Sequence, residues 1–348
     1  MKKIMVLALS AIMVMSMAAC GAKPAAPAPA ASTPAPSAPA ASAPAEPEST
    51  GWVPTEDIEF VIPFGAGGGN DVLSRKIVEI IEKNNLCPVK IVPVNKSGGS
   101  GVVGYTYLTS KGAGYEYAIA STSASFFTQP ITGNSPFDLS KDFSYVSHMV
   151  KDPCVVVCTP SLGFKNLDDV VAFAKANPGK LKWGGVGNAS DDAIVMYMLN
   201  DAADIGLTYV PYDDDGLLQA AVMGGHVDLC VKSIGEAEEL MKSGEMTPLA
   251  AISDVRLSAL PDLSTASEQG YEIGHQQNRG VVMNAGVSED VLKFYSDMMQ
   301  KVSETDEWKA FVEGNGMTNS FLPYDEWTEY SKEVAEDYTT YLKIAGVI

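Results

Sequence analysis

The strongest constraint on the fold of this chain is a repeated unit: a short apolar strand, a turn of glycine, serine or asparagine, and then a helix. Its first instance is the most informative. Residues 58–62 are β-branched and aromatic, as a short buried strand should be, and Leu73, Ile77, Ile80 and Ile81 recur at helical spacing after Val72. Between them lies Pro63-Phe64-Gly65-Ala66-Gly67-Gly68-Gly69-Asn70-Asp71. Glycines let a ligand approach the backbone closely there. The unpaired N–H groups of the first helical turn, with the positive end of the helix dipole, face whatever sits in the turn. A carboxylate or phosphate suits that place, although one such turn alone has an ordinary use as a strand-to-helix link.

The unit recurs. A strand over 89–94 leads to Asn95-Lys96-Ser97-Gly98-Gly99-Ser100-Gly101, and one near 117–120 leads to Ser121-Thr122-Ser123-Ala124-Ser125. Asn166 caps a helix through Ala176, Asn177-Pro178-Gly179 stops it, and Leu181-Lys182-Trp183 runs into Gly184-Gly185-Val186-Gly187-Asn188-Ala189-Ser190. A helix over 191–203, a strand ending at Val210-Pro211-Tyr212 and a helix closing at Gly224-Gly225 follow. The last quarter is mainly helical, over 288–302, 306–312 and 324–342. Such alternation predicts an α/β fold with parallel sheets under helices, in which the loops gather at the carboxyl ends of the strands, where ligands bind.

The first residues predict where this happens. Lys2 and Lys3 precede an uncharged apolar stretch, 4–17, too short to span a bilayer comfortably, which ends in Met17-Ala18-Ala19-Cys20-Gly21. The segment resembles a bacterial lipoprotein signal, with residues 1–19 as signal peptide and Cys20 as the lipidated first residue of the mature chain. Residues 20–52 then form an Ala/Pro/Ser-rich tether, a composition that buries too little apolar surface to offset chain entropy. The expected location is extracytoplasmic, on the outer face of the cytoplasmic membrane. Loss of Lys2 and Lys3 with the signal takes the formal charge from −19 to −21, which argues against nucleic acid or an anionic lipid surface as partner. Beyond Cys20, Cys87, Cys154, Cys158 and Cys230 show no CxxC or zinc spacing, so no metal site is expected. Cys154 and Cys158 share a strand face roughly 13 Å apart, too far for a disulfide. They read as buried thiols, while pairing of Cys87 or Cys230 with a distant partner stays open.

Catalytic signatures are missing. There is no GxSxG, HExxH or Walker motif, and His148, His226 and His275 stand apart in sequence. Gly99-Ser100-Gly101-Val102-Val103-Gly104 matches GxGxxG between a strand and a helix. The next strand, however, ends in Ser121-Thr122 where a ribose-binding acid belongs, so no dinucleotide and no other cofactor is expected.

In their order, the loops resemble the substrate-binding proteins of tripartite tricarboxylate transporters, the Bug family. The likeness runs from about Glu59 to the C-terminus. Pro63 to Asp71 with Arg75 looks like PFxxGGxxDxxxR, and Asn95 to Gly101 with Gly104 looks like N-x-PGxxGxxG, with Ser97 in place of proline. Pro178-Gly179-Lys180-Leu181, Val210-Pro211-Tyr212, Gly224-Gly225-His226-Val227-Asp228 and Leu260-Pro261-Asp262 with Glu268 and Gly270-Tyr271 complete the series. The resemblance implies a periplasmic-binding-protein-like fold of the second type: two α/β lobes, a double-crossover hinge and a ligand cleft between them. Lobe 1 would be 53–150 plus 253–348 and lobe 2 would be 151–252, with crossings near Lys151-Asp152-Pro153 and Ser253-Asp254. It further implies a non-enzymatic receptor that hands a small organic carboxylate (a di- or tricarboxylate, an amino acid or an aromatic acid) to membrane permease subunits. A monomer is expected, since one cleft needs no second chain. Carried over position by position, the ligand contacts would be Phe64, Gly65, Ala66, Gly67, Gly68 and Asp71 with Ser121, Thr122 and Ser123 in lobe 1. In lobe 2 they would be Gly184, Gly185, Gly187, Ser190 and Tyr212.

The departures from the family pattern sharpen the expectation. Where the family continues Val-Pro-Tyr-Lys-Gly, this chain has Asp213-Asp214-Asp215. Asp214 or Asp215 would cap the following helix, or the acids would select a ligand carrying an amine or a metal ion beside its carboxylate. Ala193 replaces a common histidine, and Arg279 is a candidate ligand or interlobe contact. Asp71 has two readings, as a first-turn acid of its helix or as a cleft residue that accepts hydrogen bonds. The rivals are a ligand-sensing lipoprotein uncoupled from transport and a secreted enzyme on a related fold.

Overall fold

A computed structural model describes residues 51–348. The signal peptide, Cys20 and nearly all of the tether lie outside the described residues. Eleven strands and ten α-helices follow one another as β1 (Ile58–Ile62), α1 (Gly69–Lys83), β2 (Ile91–Asn95), α2 (Val102–Thr109), β3 (Ala118–Ser121), α3 (Ala124–Ile131), β4 (Phe143–Asp152), β5 (Cys154–Cys158), α4 (Leu167–Ala176), β6 (Lys182–Val186), α5 (Asp191–Ala203), β7 (Thr208–Tyr212), α6 (Asp215–Met223), β8 (Leu229–Ser233), α7 (Ile234–Lys242), β9 (Thr247–Ile252), β10 (Gln277–Asn284), α8 (Glu289–Glu304), α9 (Asp306–Gly314), β11 (Thr318–Leu322) and α10 (Tyr324–Ile344). Three polar N-caps accept a backbone N–H through the side chain, whereas Ser123, Ser190, Ser233 and Ser288 do not. Asn166 accepts from the Asp169 N–H, Asp214 from the Leu217 N–H and Thr305 from the Trp308 N–H.

The strands form two sheets. One has the order β11-β4-β10-β3-β1-β2 and the other β7-β6-β8-β5-β9. In the first, β2, β1 and β3 are parallel, and β10 runs antiparallel between β3 and β4. In the second, β7, β6 and β8 are parallel and β5 is antiparallel to both β8 and β9. The sheets are therefore mixed where alternation predicts parallel ones, because a chain that re-enters a sheet from the other lobe arrives from the opposite end. Each sheet is covered on both faces, as its apolar strands require. Ile58, Phe60, Met149 and Val281 pack with α1, α8 and α9 on one side of the first sheet, and Phe126, Phe127, Trp327 and Tyr338 pack on the other. Trp183, Val195 and Leu199 fill one side of the second sheet, and Val157, Leu218 and Val227 fill the other.

The chain passes between sheets twice. The first passage is Pro153 alone, between β4 and β5. The second comes later than Ser253-Asp254. Residues 253–274 return along the second sheet, where the Ala266 N–H donates to the Ala251 carbonyl at 2.9 Å and Ala266 and Ile273 are buried in that sheet's core. Gln277 then opens β10. Apolar residues after Ile252 hold the strap to the second lobe. The four cysteines among the described residues form no disulfide, and no helix there is long and apolar enough to cross a membrane.

Candidate ligand-binding site

A cavity of about 100 Å³ lies between the lobes. Its wall is made largely of helix starts. Gly68 is the N-cap of α1, Ser123 of α3, Ser190 of α5 and Ser233 of α7, while Asp215 is the first residue of α6, and all five residues line the space. Topology brings them together, since each of these helices follows a strand whose carboxyl end points into the cleft. The positive ends of five helix dipoles thus converge on one small volume.

The lobes meet around this volume. Thr128 Oγ1 donates to the Ala189 carbonyl at 2.5 Å. A Cβ at Gly187 would lie 2.0 Å from Ser100 Oγ, and one at Gly68 would lie 3.0 Å from Asp215 Oδ2, so these glycines permit the approach of one lobe to the other. Asp191, at the head of α5, is the main junction. It accepts from Gln277, from the ring of His275 at 2.5 Å and from the Tyr338 hydroxyl at 3.3 Å. Burial pushes its carboxyl up, but the hydrogen bonds from His275 and Gln277 and the charges of His275 and Arg279 outweigh it and leave it below the ordinary carboxylate value.

Of the residues expected from sequence, Phe64, Gly68, Ser123, Ser190 and Arg279 line the cavity. Gly65, Ala66 and Gly67 lie outside the wall, and Gly67 (φ +85°) instead gives its N–H to Asp71 Oδ2 at 2.9 Å. Asp71 is buried among local partners, accepting also from Arg75 Nε and Asn95 Nδ2, each at 2.8 Å. Ser121 is buried behind the wall. Thr122 ties β3 to β10, its Oγ1 accepting from the Gly280 N–H at 2.8 Å. Gly184 makes room for helix packing, because a Cβ there would lie 2.6 Å from Leu218 Cδ1. Gly185 makes room for Asp192 and Tyr209, each 2.3 Å from the same construction. Gly187, Tyr212 and Asp213 border a separate outer groove with Ser100. Asp214 caps α6, and Asp215 reaches the cavity, so the acidic triplet divides its duties among three places.

The sequence reading overlooked Asn70, Asp152, Asp192, Lys232, His275 and Gln277, all on the wall. A charged residue at the carboxyl end of an apolar strand was the available signal. Val150-Lys151-Asp152 and Val231-Lys232-Ser233 both have it. Arg279 Nε binds Asp152 Oδ2 at 2.7 Å with both side chains buried, and Lys232 Nζ stands 3.4 Å from Asp215 Oδ1. Asp192 Oδ2 accepts from the Val186 N–H at 3.1 Å and the Ser190 hydroxyl at 3.3 Å. Burial pushes its carboxyl up to about 7; Asp215 and Asp191 add to the rise, while Lys232 and the Val186 N–H oppose it. Among the described residues, no three His, Cys, Asp or Glu side chains are grouped to hold a metal ion.

Two α/β lobes joined by two crossings, with a cavity walled by helix starts from both, define the fold of a periplasmic solute-binding protein. The model described as tripartite tricarboxylate transporter family receptor matches residues 74–338, and the chain belongs to that family, one of solute-binding receptors and not of enzymes. Protein BugT of Bordetella pertussis is 29% identical over 230 residues, covering 65% of this chain and 69% of that protein. Among solved structures, the periplasmic binding protein BugD superposes with a TM-score of 0.77 at 22% identity, covering 84% of this chain and 99% of that one. The R. palustris protein Rpa4515 with adipate superposes with a TM-score of 0.76 at 20% identity, covering 84% and 98%. MatC of Rhodopseudomonas palustris with bound malate gives 0.72 at 17% identity, covering 84% and 99%.

Proposed function

We propose that the chain is an extracytoplasmic lipoprotein, anchored through Cys20, that captures a small carboxylate-bearing ligand between its lobes and delivers it to the permease of a tripartite tricarboxylate-type transporter. The observation that carries this reading is the convergence of five helix starts on one interlobe cavity, an arrangement that favours an anionic group. Two structural relatives hold adipate and malate, which supports a carboxylate as the bound group. Phe64, Gly68, Ser123, Ser190 and Arg279 are the expected contacts, and the surrounding glycines shape the closure. Binding shifts an open–closed equilibrium and so forms the surface the permease recognises, with one receptor chain per ligand.

Two measurements test this. A thermal-shift screen of the full chain should find at least one small carboxylate that raises Tm while neutral sugars do not. A deletion strain should lose uptake of that same carboxylate. A neutral sugar as the sole stabilising compound would remove the carboxylate reading, and unimpaired uptake in the deletion strain would remove the transport reading.

A further inference from the structure

The cavity carries more negative charge than a receptor for simple carboxylates needs. Four carboxylates line it, those of Asp152, Asp191, Asp192 and Asp215, against the two side-chain cations Lys232 and Arg279 and the imidazole of His275. Three of the acids face a basic partner: Asp152 with Arg279 at 2.7 Å, Asp191 with His275 at 2.5 Å and Asp215 with Lys232 at 3.4 Å. Asp192 has only the Val186 N–H and the Ser190 hydroxyl.

Several polar atoms on the wall also await partners. Asn70 is 4% exposed, and neither its amide oxygen nor its amide nitrogen makes a hydrogen bond. Asp152 is 3% exposed and its Oδ1 accepts nothing, as does Gln277 Oε1. Buried polar groups without partners are costly, and a ligand that meets them removes that cost. Ser123 Oγ, also on the wall, is likewise without a partner. Asn70 Oδ1, Asp152 Oδ1 and Gln277 Oε1 accept, Asn70 Nδ2 donates and the hydroxyl can do either, so the wall offers acceptors for a positive group beside the N–H donors of its helix starts.

The electrostatic balance points the same way. The five helix ends, at about half a unit charge each, roughly offset the excess of carboxylates over cations. A ligand with no net charge and separated poles keeps that balance, with its anion against the helix starts and its cation against the acids. A dicarboxylate would instead bring two further negative charges into a volume of about 100 Å³ already lined by four carboxylates.

We propose that the ligand is a zwitterion, an α-amino acid or close analogue, whose ammonium group is held by Asp192 while its carboxylate lies at the head of α1 beside Asn70 and Ser123. The inference rests on the receptor reading above and narrows it.

The test is isothermal titration of the full chain with the protein amino acids, each paired with the acid that lacks the amino group: L-aspartate with succinate, L-glutamate with glutarate, L-alanine with propionate. At least one amino acid should bind ten-fold or more tightly than its counterpart. Asp192→Asn, which keeps an oxygen for the Val186 N–H and the Ser190 hydroxyl, should shrink that gap ten-fold or more. A gap under ten-fold in every pair, with binding present, overturns the zwitterion and leaves the carboxylate receptor standing. An undiminished gap in Asp192→Asn overturns the assignment of the ammonium group to Asp192. Binding of no acid of either kind overturns the inference and the receptor reading together.

Discussion

Asp71 and Asp192 both sit in the first turn of a helix at the cleft, one in each lobe, and their surroundings are opposite. Asp71 is buried, which pushes its carboxyl up, yet Arg75, the Gly67 N–H and the Asn95 amide outweigh that and hold it below the ordinary carboxylate value. Asp192 is also buried, and with no cation in hydrogen-bond contact and two further acids nearby, that burial pushes its carboxyl up to about 7. A charge neutralised by residues close in the chain belongs to the scaffold. One left under-compensated on a cavity wall is set for a partner from outside.

The wall's other buried ion pair offers the largest effect with which to break this contrast. Arg279 and Asp152 are 7% and 2% exposed as side chains, and removing one partner of such a pair typically costs about 3–5 kcal/mol because the other charge is left buried. Arg279→Met should lower the unfolding free energy by about that much in urea titrations. Arg279→Met with Asp152→Leu should recover most of the loss. A single variant as stable as the wild type would mean that Asp152, like Asp71, is already neutralised by its own surroundings.

Gly68 separates closure from folding. Its backbone is extended, with φ −76° and ψ 165°, so a side chain is conformationally tolerable there. A Cβ would nevertheless lie 3.0 Å from Asp215 Oδ2 of the opposite lobe. Gly68→Val should weaken binding of the stabilising acid about 100-fold, or about 2.7 kcal/mol. Its stability should fall by only about 1 kcal/mol, since valine is a poor N-cap. Equal losses in affinity and stability would assign the turn to the scaffold.

The contrast also explains what was legible in the sequence. Helix 191–203 and its neighbours could be read because caps, stops and apolar period agree locally, as at Asn166, Asn177 and Asp214. The glycine turns could be read as turns, and Phe64, Gly68, Ser123 and Ser190 could be placed in a cleft, because strand-to-helix loops must gather at one end of a sheet. What could not be read was long-range pairing. Nothing near Asp152 announces Arg279, which lies 127 residues away and reaches it only because β10 runs antiparallel to β4. Gly184 and Gly185 look like ligand-facing glycines in sequence. In the fold they relieve Leu218, Asp192 and Tyr209, neighbours whose positions no local pattern gives. The strap over 253–274 was likewise hidden, since its apolar residues are too scattered to show which lobe they bury against.

The smallest effect separates the two acids by the sign of a pH dependence. Asp71→Asn removes a carboxylate that accepts three hydrogen bonds, one from an arginine that is 47% exposed, and should cost about 1–2 kcal/mol near neutral pH. Because the folded carboxyl lies below its ordinary value, the wild type's advantage should be full above the ordinary carboxylate range and shrink as pH falls through it. Asp192 runs the other way. Its folded carboxyl, raised to about 7, takes up a proton that the unfolded chain has released, so wild-type stability falls as pH rises from about 4 to 7. Lys232, Asp191, Asp215 and Tyr209 face this carboxyl and are unchanged in Asp192→Asn, which lacks the titrating group and should therefore gain on the wild type across that window. Thermal melts without ligand at pH 4.5, 6 and 7.5 read both trends. Parallel curves for the two variants would show that Asp192 is as well compensated as Asp71, and the cleft would then have no carboxylate left over for a ligand's positive group.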